Sequence, residues 1–427
     1  MRISVRRQGG RSTRARSTAT TVVVAAALAF TAACGSSDGG SSGSSSDAKG
    51  SAGSKIDVDP AAVQETVNKA FQADVKLDSL PDTVQDAFAR ATLTLPQAKL
   101  DKAFECWKGA SCTVGNGKVT LGIADGFGQN QWRKFSKMEI ILQALTYPEV
   151  GKILSTDAQG DLATFQSNVR SLAAQGAKAI VTYDDFGPAA LPAFTAASQQ
   201  GAKIASYVGP VPDAPESAVA AQVHGDTCAT GEDMADVATN DLKLSGDVAI
   251  FNGTPGNPQG QAWNKCFEDK IKGSGITVGK KLDTNWTPAG VYQAASALVS
   301  SGDDAKGIFY DYADPMPQII SAYEKAGKVT PALVTWTSNN GLFKEWQQRQ
   351  GTDKAFELYF TNGLNWQGRA AVTAVMDLLA GKKVENQMIM PQPFVKAVKG
   401  VYDPKRPDDY PGPSVLVPDA LISRMLQ

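Results

Sequence analysis

The run Ala177-Lys-Ala-Ile-Val-Thr-Tyr183, followed by Leu191-Pro-Ala-Phe-Thr-Ala-Ala-Ser-Gln-Gln-Gly201-Ala-Lys-Ile204, holds a short apolar segment, a longer helix-like one and a second short apolar segment. That succession of strand, helix and strand recurs on both sides. Strands are expected at Val119–Ala124, Lys152–Thr156, Ala179–Tyr183, Lys203–Tyr207, Asp247–Asn252, Thr277–Asp283, Gly307–Asp311 and Leu333–Thr337. Helices are expected between them at Arg133–Leu145, Asp161–Gln175, Ala189–Gln200, Thr230–Leu242, Gln259–Ile271, Pro288–Ser300 and Met316–Ala326. Glycines punctuate the pattern: Gly176, Gly201 and Gly327 each stop a helix just before the next strand, in a position that suits the left-handed cap conformation.

Alternating strands and helices define an α/β fold with parallel pairing through right-handed crossovers, and ligands collect at the carboxyl ends of such strands. The loops there begin at Asp125, Asp184, Tyr207, Gly253, Asn285, Tyr312 and Thr337. They are rich in aromatic and amide side chains. The tract Gly253 to Gly260 imitates a phosphate cradle but lacks the Gly-Lys-Ser/Thr end that grips a nucleotide, so a sharp ligand-facing loop is expected instead.

The 427 residues are 42% apolar, more than one ordinary core needs, which indicates two packed units. Lysine plus arginine total 42 against 43 acidic residues, so the net charge of -1 offers no basic field for nucleic acid. Residues 56–113 carry a helical pattern, with Val63, Val67 and Phe71 four apart and a break at Leu80-Pro81-Asp82. This small helical extension has no function legible in its residues; packing on a lobe and spacing are both open.

At the N-terminus Arg2, Arg6, Arg7, Arg11, Arg14 and Arg16 precede the apolar run Thr21–Phe30, which is an export signal and far shorter than the roughly 20 residues of a spanning helix. The small residues Thr31-Ala32-Ala33 before Cys34 resemble the lipobox of bacterial lipoproteins, with Thr31 standing where leucine is usual. That resemblance implies lipidation of Cys34. The Gly/Ser-rich residues 35–55 then read as a flexible tether holding a domain off the membrane. Four cysteines remain, an even number in an exported chain, and Cys106–Cys112 and Cys228–Cys266 are expected as disulfides; buried thiols are the alternative.

Over roughly Lys118 to Met390 the ordered segments resemble the periplasmic binding proteins of the ribose-binding type. The segment Asp125-Gly-Phe-Gly-Gln-Asn-Gln-Trp-Arg133 is similar to the family's first loop, where an asparagine and aromatics precede the first helix; Asn130, Trp132 and Arg133 fall on those positions. The opening Ala177–Ile204 run, Asn252-Gly253, Lys306-Gly-Ile-Phe309 and the late helix from Gly368 to Gly381 continue the likeness. The resemblance implies two Rossmann-like lobes with a cleft, joined by three crossings of a hinge. Residues 114–226 are expected as the first lobe, 227–361 as the second, and 362–427 as a return to the first lobe with a C-terminal crossing segment.

The family's sugar contacts carry over unevenly. An Asp-Arg pair falls here on Tyr207 and Val208, an arginine near Gln261, an aspartate near Thr337 and an asparagine near Tyr312. Asn130, Trp132, Trp286 and Asn362 keep the expected type. With Asp125, Phe127, Arg133 and Asp184 from the strand-end loops, these residues form the expected ligand set. Tryptophan stacks on the apolar face of a sugar while amide, carboxylate and guanidinium groups bond its hydroxyls. Core packing is the competing role for Trp263, Trp336 and Trp366.

The resemblance therefore implies a lipid-anchored binding protein on the outer face of the cell membrane. It would capture a small polar ligand, a sugar or polyol, by hinge closure and deliver it to an ABC transporter permease. No cofactor, metal or nucleic acid is expected, and the protein is expected as a monomer. A sensory receptor component would use the same fold. A secreted carbohydrate-active enzyme is the third reading, because Asp184 with Asp185, or Asp311 with Asp314, could supply paired carboxylates. Adjacent aspartates on a strand point to opposite faces, although a loop would free them. His224 lies near Asp226 and Cys228, yet a metal needs three or four converging ligands, which leaves His224 as a hinge or surface residue.

Overall fold

The computed structural model describes residues 56–427 apart from Asp303; the export signal, Cys34 and the Gly/Ser-rich tether lie outside the described residues. Thirteen strands form two sheets among these residues. The first sheet contains β1 (Ser111–Thr113), β2 (Val119–Asp125), β3 (Val150–Asp157), β4 (Ala177–Tyr183), β5 (Lys203–Tyr207), β6 (Ala221–Gly225) and, much later, β12 (Gln387–Met390). Its order is β1-β3-β2-β4-β5-β6-β12. The second sheet contains β7 (Gly246–Asn252), β8 (Ile276–Asp283), β9 (Gly307–Tyr310), β10 (Ala332–Thr335), β11 (Leu358–Phe360) and β13 (Val395–Lys396), in the order β13-β11-β10-β9-β7-β8. All pairs are parallel except β1 with β3 and β11 with β13.

Parallel strands are covered on both faces, which is why the central ones read as unbroken apolar runs. All four residues of β9, Gly-Ile-Phe-Tyr, are buried. On the first sheet, helices Gln131–Ala144 and Gln367–Leu379 pack together over one face, and Leu162–Ala174 with Leu191–Gln199 cover the other. Over the second sheet, Thr227–Asp236 packs on Pro258–Lys270, and Pro288–Ser300 on Pro317–Lys325. Every strand expected between Val119 and Thr337 is present, with ends moved by no more than two residues. The expected helix over 230–242 starts earlier, at Thr227, and finishes in a wider π turn over Val237–Asp241. Gly176, Gly201 and Gly327 have φ of +88°, +88° and +69°, the left-handed caps expected of them.

The chain passes between the sheets after β6, after β11 and after β12. A further stretch runs from the second sheet to the first. Asn340 donates to the carbonyls of Asp403, Arg406 and Pro407, Ser338 donates to Pro411 O, and Leu416 N donates to Glu139 Oε1 at 2.7 Å. Glu139 is itself buried against Arg369. The C-terminal helix Asp419–Met425 ends on the extension, where Arg424 meets Asp101 at 2.7 Å.

The helical extension packs on the first lobe. Its helices Pro60–Phe71 and Asp82–Ala91 bring Phe71 and Phe88 to 4.7 and 5.0 Å from the ring of Trp366, which is buried. Its third helix, Gln97–Lys108, is linked to β1 by Cys106–Cys112, and β1 joins the first sheet as an edge strand. Cys228–Cys266 ties the two helices that share one face of the second sheet.

Candidate functional site

A cavity of about 300 Å³ lies between the carboxyl ends of the two sheets. From the first lobe come Phe127, Asn130, Trp132 and Arg133 after β2, Tyr183 to Asp185 after β4, and Val208 to Pro210 after β5. The second lobe faces them with Asn257 to Gln259 after β7, Trp286 after β8, Asp311 and Tyr312 after β9, and Trp336 and Thr337 after β10. Nothing lines it from the strands' amino ends, as parallel sheets dictate.

Arg133 organises the first wall. Asn130 caps its helix by accepting the Arg133 N-H at 2.8 Å, which points the arginine side chain back across the ends of β2 and β4. The guanidinium donates to Asp125 Oδ1 at 2.9 Å and to Asp185 Oδ1 at 2.6 Å, and lies 3.2 Å from the centroid of the Tyr183 ring. Burial works against its charge, but the two carboxylates outweigh that and hold its pKa above the usual range. The Asp185 carboxylate can approach because residue 126 is glycine: a Cβ there would stand 2.3 Å from Asp185 Oδ2.

Trp286 organises the second wall. Asn285 and Trp286 both take a left-handed φ of 51°, and the Trp286 N-H donates to Thr284 Oγ1 at 3.2 Å. This turn lays the indole against Gly253, where a Cβ would come within 1.9 Å of the ring, and lets its Nε1-H donate to Asp311 Oδ1 at 2.9 Å. Consecutive left-handed non-glycine residues are costly, and such strain concentrates at functional sites. Tyr312 donates to Asp314 Oδ2 at 2.7 Å, and Thr337 Oγ1 accepts the Ala313 N-H at 2.8 Å.

Asp184 and Asp185 follow the last residue of β4, so the rule that adjacent strand residues diverge does not hold them apart, and both line the cavity. Asp184 Oδ1 accepts the Phe186 N-H at 2.9 Å, while Oδ2 is buried without a hydrogen-bond partner. Burial raises the Asp184 carboxyl to about 7. Burial likewise raises Asp311, whose one side-chain donor is Trp286, to about 6.

Of the twelve residues expected to meet a ligand, the structure brings Phe127, Asn130, Trp132, Arg133, Asp184, Trp286, Tyr312 and Thr337 to the cavity. Four lie elsewhere. Asp125 sits behind the wall as the anchor of Arg133 and of the Phe127 N-H. Tyr207 is 1% exposed and packs edge-on against Tyr183, 5.5 Å between centroids. Gln261 is exposed on its helix, where Gln259 and Ala262 face the cavity instead. Asn362 is fully buried and accepts the N-H groups of Leu364 and the Trp366 indole, shaping a crossing rather than the wall. In each case the residue is near the right strand end, and the local turn decides which side chain reaches inward.

Tyr183, Asp185, Pro210, Gln259 and Asp311 line the cavity outside the expected set, although Tyr183 ends the strand before Asp184 and Asp185 follows it in the same loop. Trp336 lines the cavity and also donates to Met234 Sδ, whereas Trp263 and Trp366 are core. His224 lies on β6 and is bonded to Gly225 O and, across to β12, to Gln387 Oε1. No cluster of histidine, cysteine and carboxylate able to hold a metal occurs among the described residues.

Two parallel α/β lobes, joined by several passages of the chain and enclosing a cavity at their facing strand ends, define a periplasmic binding protein of type I architecture. The chain belongs to that family: the model described as periplasmic binding protein domain matches residues 123–383, more than half of its length. Among solved structures it is similar to an ABC transporter solute-binding protein of Mycobacterium smegmatis with bound glycerol, at 17% identity and a TM-score of 0.57, covering 66% of this chain and 94% of that one. It is also similar to a solute-binding protein of Bacillus halodurans with bound myo-inositol, at 16% identity and a TM-score of 0.58, covering 66% and 96%. A periplasmic ribose ABC transporter protein of Conexibacter woesei shares 18% identity at a TM-score of 0.56, covering 66% of this chain and 92% of that one. No curated protein matches the sequence. The fold is shared with these proteins.

Proposed function

We propose that this protein captures a small hydroxylated solute of the sugar or polyol class by closing its two lobes around it, and presents the closed form to an ABC transporter permease. The observation that carries this reading is the cavity itself, walled by Arg133, Asp184 and Trp132 from one lobe and Trp286, Tyr312 and Thr337 from the other. A ligand touching both walls favours the closed arrangement by its differential affinity, and a membrane partner can read that state. Capture without turnover fits the site, because the Asp125 and Asp185 carboxylates are engaged by Arg133 and the Asp311 carboxylate by Trp286. Structural relatives with glycerol, inositol and ribose in their descriptions support the ligand class.

The protein acts as a monomer at the outer face of the membrane, held by acyl chains on Cys34 through the 35–55 tether. No helix among the described residues is long and apolar enough to cross a membrane. The test is a thermal-shift screen of pentoses, hexoses, polyols, inositols and purine nucleosides on the folded protein. A ligand that binds only the native state raises the melting temperature by mass action, without product. Response to none of these hydroxylated compounds, or release of product, would overturn the reading. For the anchor, metabolic labelling with palmitate should mark the protein and lose the mark in Cys34→Ser; label retained in that variant would refute it.

A further inference from the structure

The cavity walls are not neutral. Among the described residues three carboxylates line the cavity, those of Asp184, Asp185 and Asp311, against one cation, Arg133. Arg133 is already spent on Asp185 and on Asp125 behind it. Among the described residues nothing cationic bonds Asp311, whose side-chain donor is the Trp286 indole N-H, and Asp184 Oδ2 has no hydrogen-bond partner although its residue is 5% exposed. A neutral polyol can donate hydroxyls to these oxygens, but it would close the lobes over uncompensated negative charge, which an apolar enclosure penalises heavily. The rest of the lining is aromatic, with Trp132, Trp286, Trp336 and Tyr312 presenting rings. Aromatic faces attract a cation and reject an anion.

Resting on the solute-capture reading above, we infer that the ligand is a hydroxylated primary amine, an amino sugar or amino polyol, whose ammonium group lies between Asp184 on the first lobe and Asp311 on the second. One charge would thus bridge the two lobes and drive closure. The carboxylates on either side also explain a pH response. Around Asp184 the facing charged groups are Asp185 and Arg133; Asp311 faces the Trp286 indole, with the Tyr310 hydroxyl nearby. An ammonium favours the ionised carboxylate, so its binding weakens as either group takes up a proton.

The test uses matched probes at pH 7.5 on the purified protein: glucosamine with glucose, galactosamine with galactose, and 1-amino-1-deoxysorbitol with sorbitol, each by thermal shift and titration calorimetry. The amine of at least one pair should bind at least about tenfold more tightly than its neutral partner, the loss of one buried charge pair being worth that much or more. Asp184→Asn and Asp311→Asn, each checked for folding by circular dichroism, should each weaken the amine by at least about tenfold more than they weaken its neutral partner. The affinity of 1-amino-1-deoxysorbitol, whose amine stays protonated throughout, should fall between pH 7.5 and pH 5.5 by up to about tenfold per unit for each carboxylate protonated. A neutral sugar that binds as well as its amine, or amine binding untouched by both variants, overturns the charge inference and leaves solute capture standing. No response to either member of any pair overturns the amine inference and leaves the hydroxylated-ligand reading to be decided by the wider screen.

Discussion

The guanidinium of Arg133 donates to Asp185 Oδ1 at 2.6 Å, joining the first turn of a helix to a loop 52 residues further along the chain. A second donation, to Asp125, makes this arginine the common counter-ion of a buried acidic wall.

Arg133→Ala should therefore act on stability as well as on binding. It leaves Asp125 and Asp185 without their cation in a buried setting, a loss on the order of 3–5 kcal/mol. Arg133→Lys keeps the charge but not the planar fork, so it should fall between the two. Urea unfolding of both variants measures this, and an Arg133→Ala variant as stable as the parent would contradict the role.

Gly253→Ala should displace Trp286, since the new Cβ would meet the indole at 1.9 Å. Overpacking of this kind costs about 1–3 kcal/mol and should shift the tryptophan emission. Gly260→Ala in the same segment is the control, because its Cβ would meet nothing closer than 3.6 Å. Equal effects of the two substitutions would show that Trp286 is not seated on Gly253.

The acidic walls make ligand-free stability depend on pH in an unusual direction. Asp184 and Asp311 are raised by burial to about 7 and about 6, from the ordinary carboxylate value of 3.8. The native state then binds more protons than the unfolded state between pH about 4 and 7, so the stability these two groups contribute is full below that window and is lost as pH rises through it. The melting temperature of the ligand-free protein should be higher at pH 5.5 than at pH 8, and Asp184→Asn should flatten the profile. A parent profile that climbs steadily with pH and is copied by the variant would refute this origin.

The disulfides should differ in worth. Cys228–Cys266 spans 38 residues and Cys106–Cys112 only six. On the chain-entropy account, removing the first by double serine substitution costs about 4 kcal/mol and removing the second about 2 kcal/mol. Guanidinium denaturation of the two double variants gives the order, which a larger loss at Cys106–Cys112 would reverse.

Much of this architecture is carried by local pattern. The alternation around Ala177–Ile204 marks strands and helices because parallel strands need continuous apolar composition and helices need a stop, and Gly201 supplies one that only the left-handed region satisfies. Elements without such a signal went unread. The three-residue strands β1 and β11 exist only through their partners β3, β10 and β13, and the four residues of β12 alternate in burial at a sheet edge. Short strands have too little sequence to announce themselves.

The site shows the same division at the level of single residues. That ligands meet the strand ends follows from connectivity, and Phe127, Asn130, Trp132, Arg133, Asp184 and Trp286 were placed there on sequence grounds. Which of two neighbours turns inward is another matter. Gln259 faces the cavity and Gln261 does not, Asn362 turns to the Trp366 indole, and Asp185 joins Asp184 because β4 ends one residue before them. The sequence alone determined that the run from Ala177 to Ile204 belongs to a parallel α/β protein, because periodicity and glycine stops are local properties of the chain. Only the tertiary structure decided that Arg133 is neutralised from behind while Asp184 and Asp311 are left facing the cavity, because the pairing of charges depends on distances across separate loops.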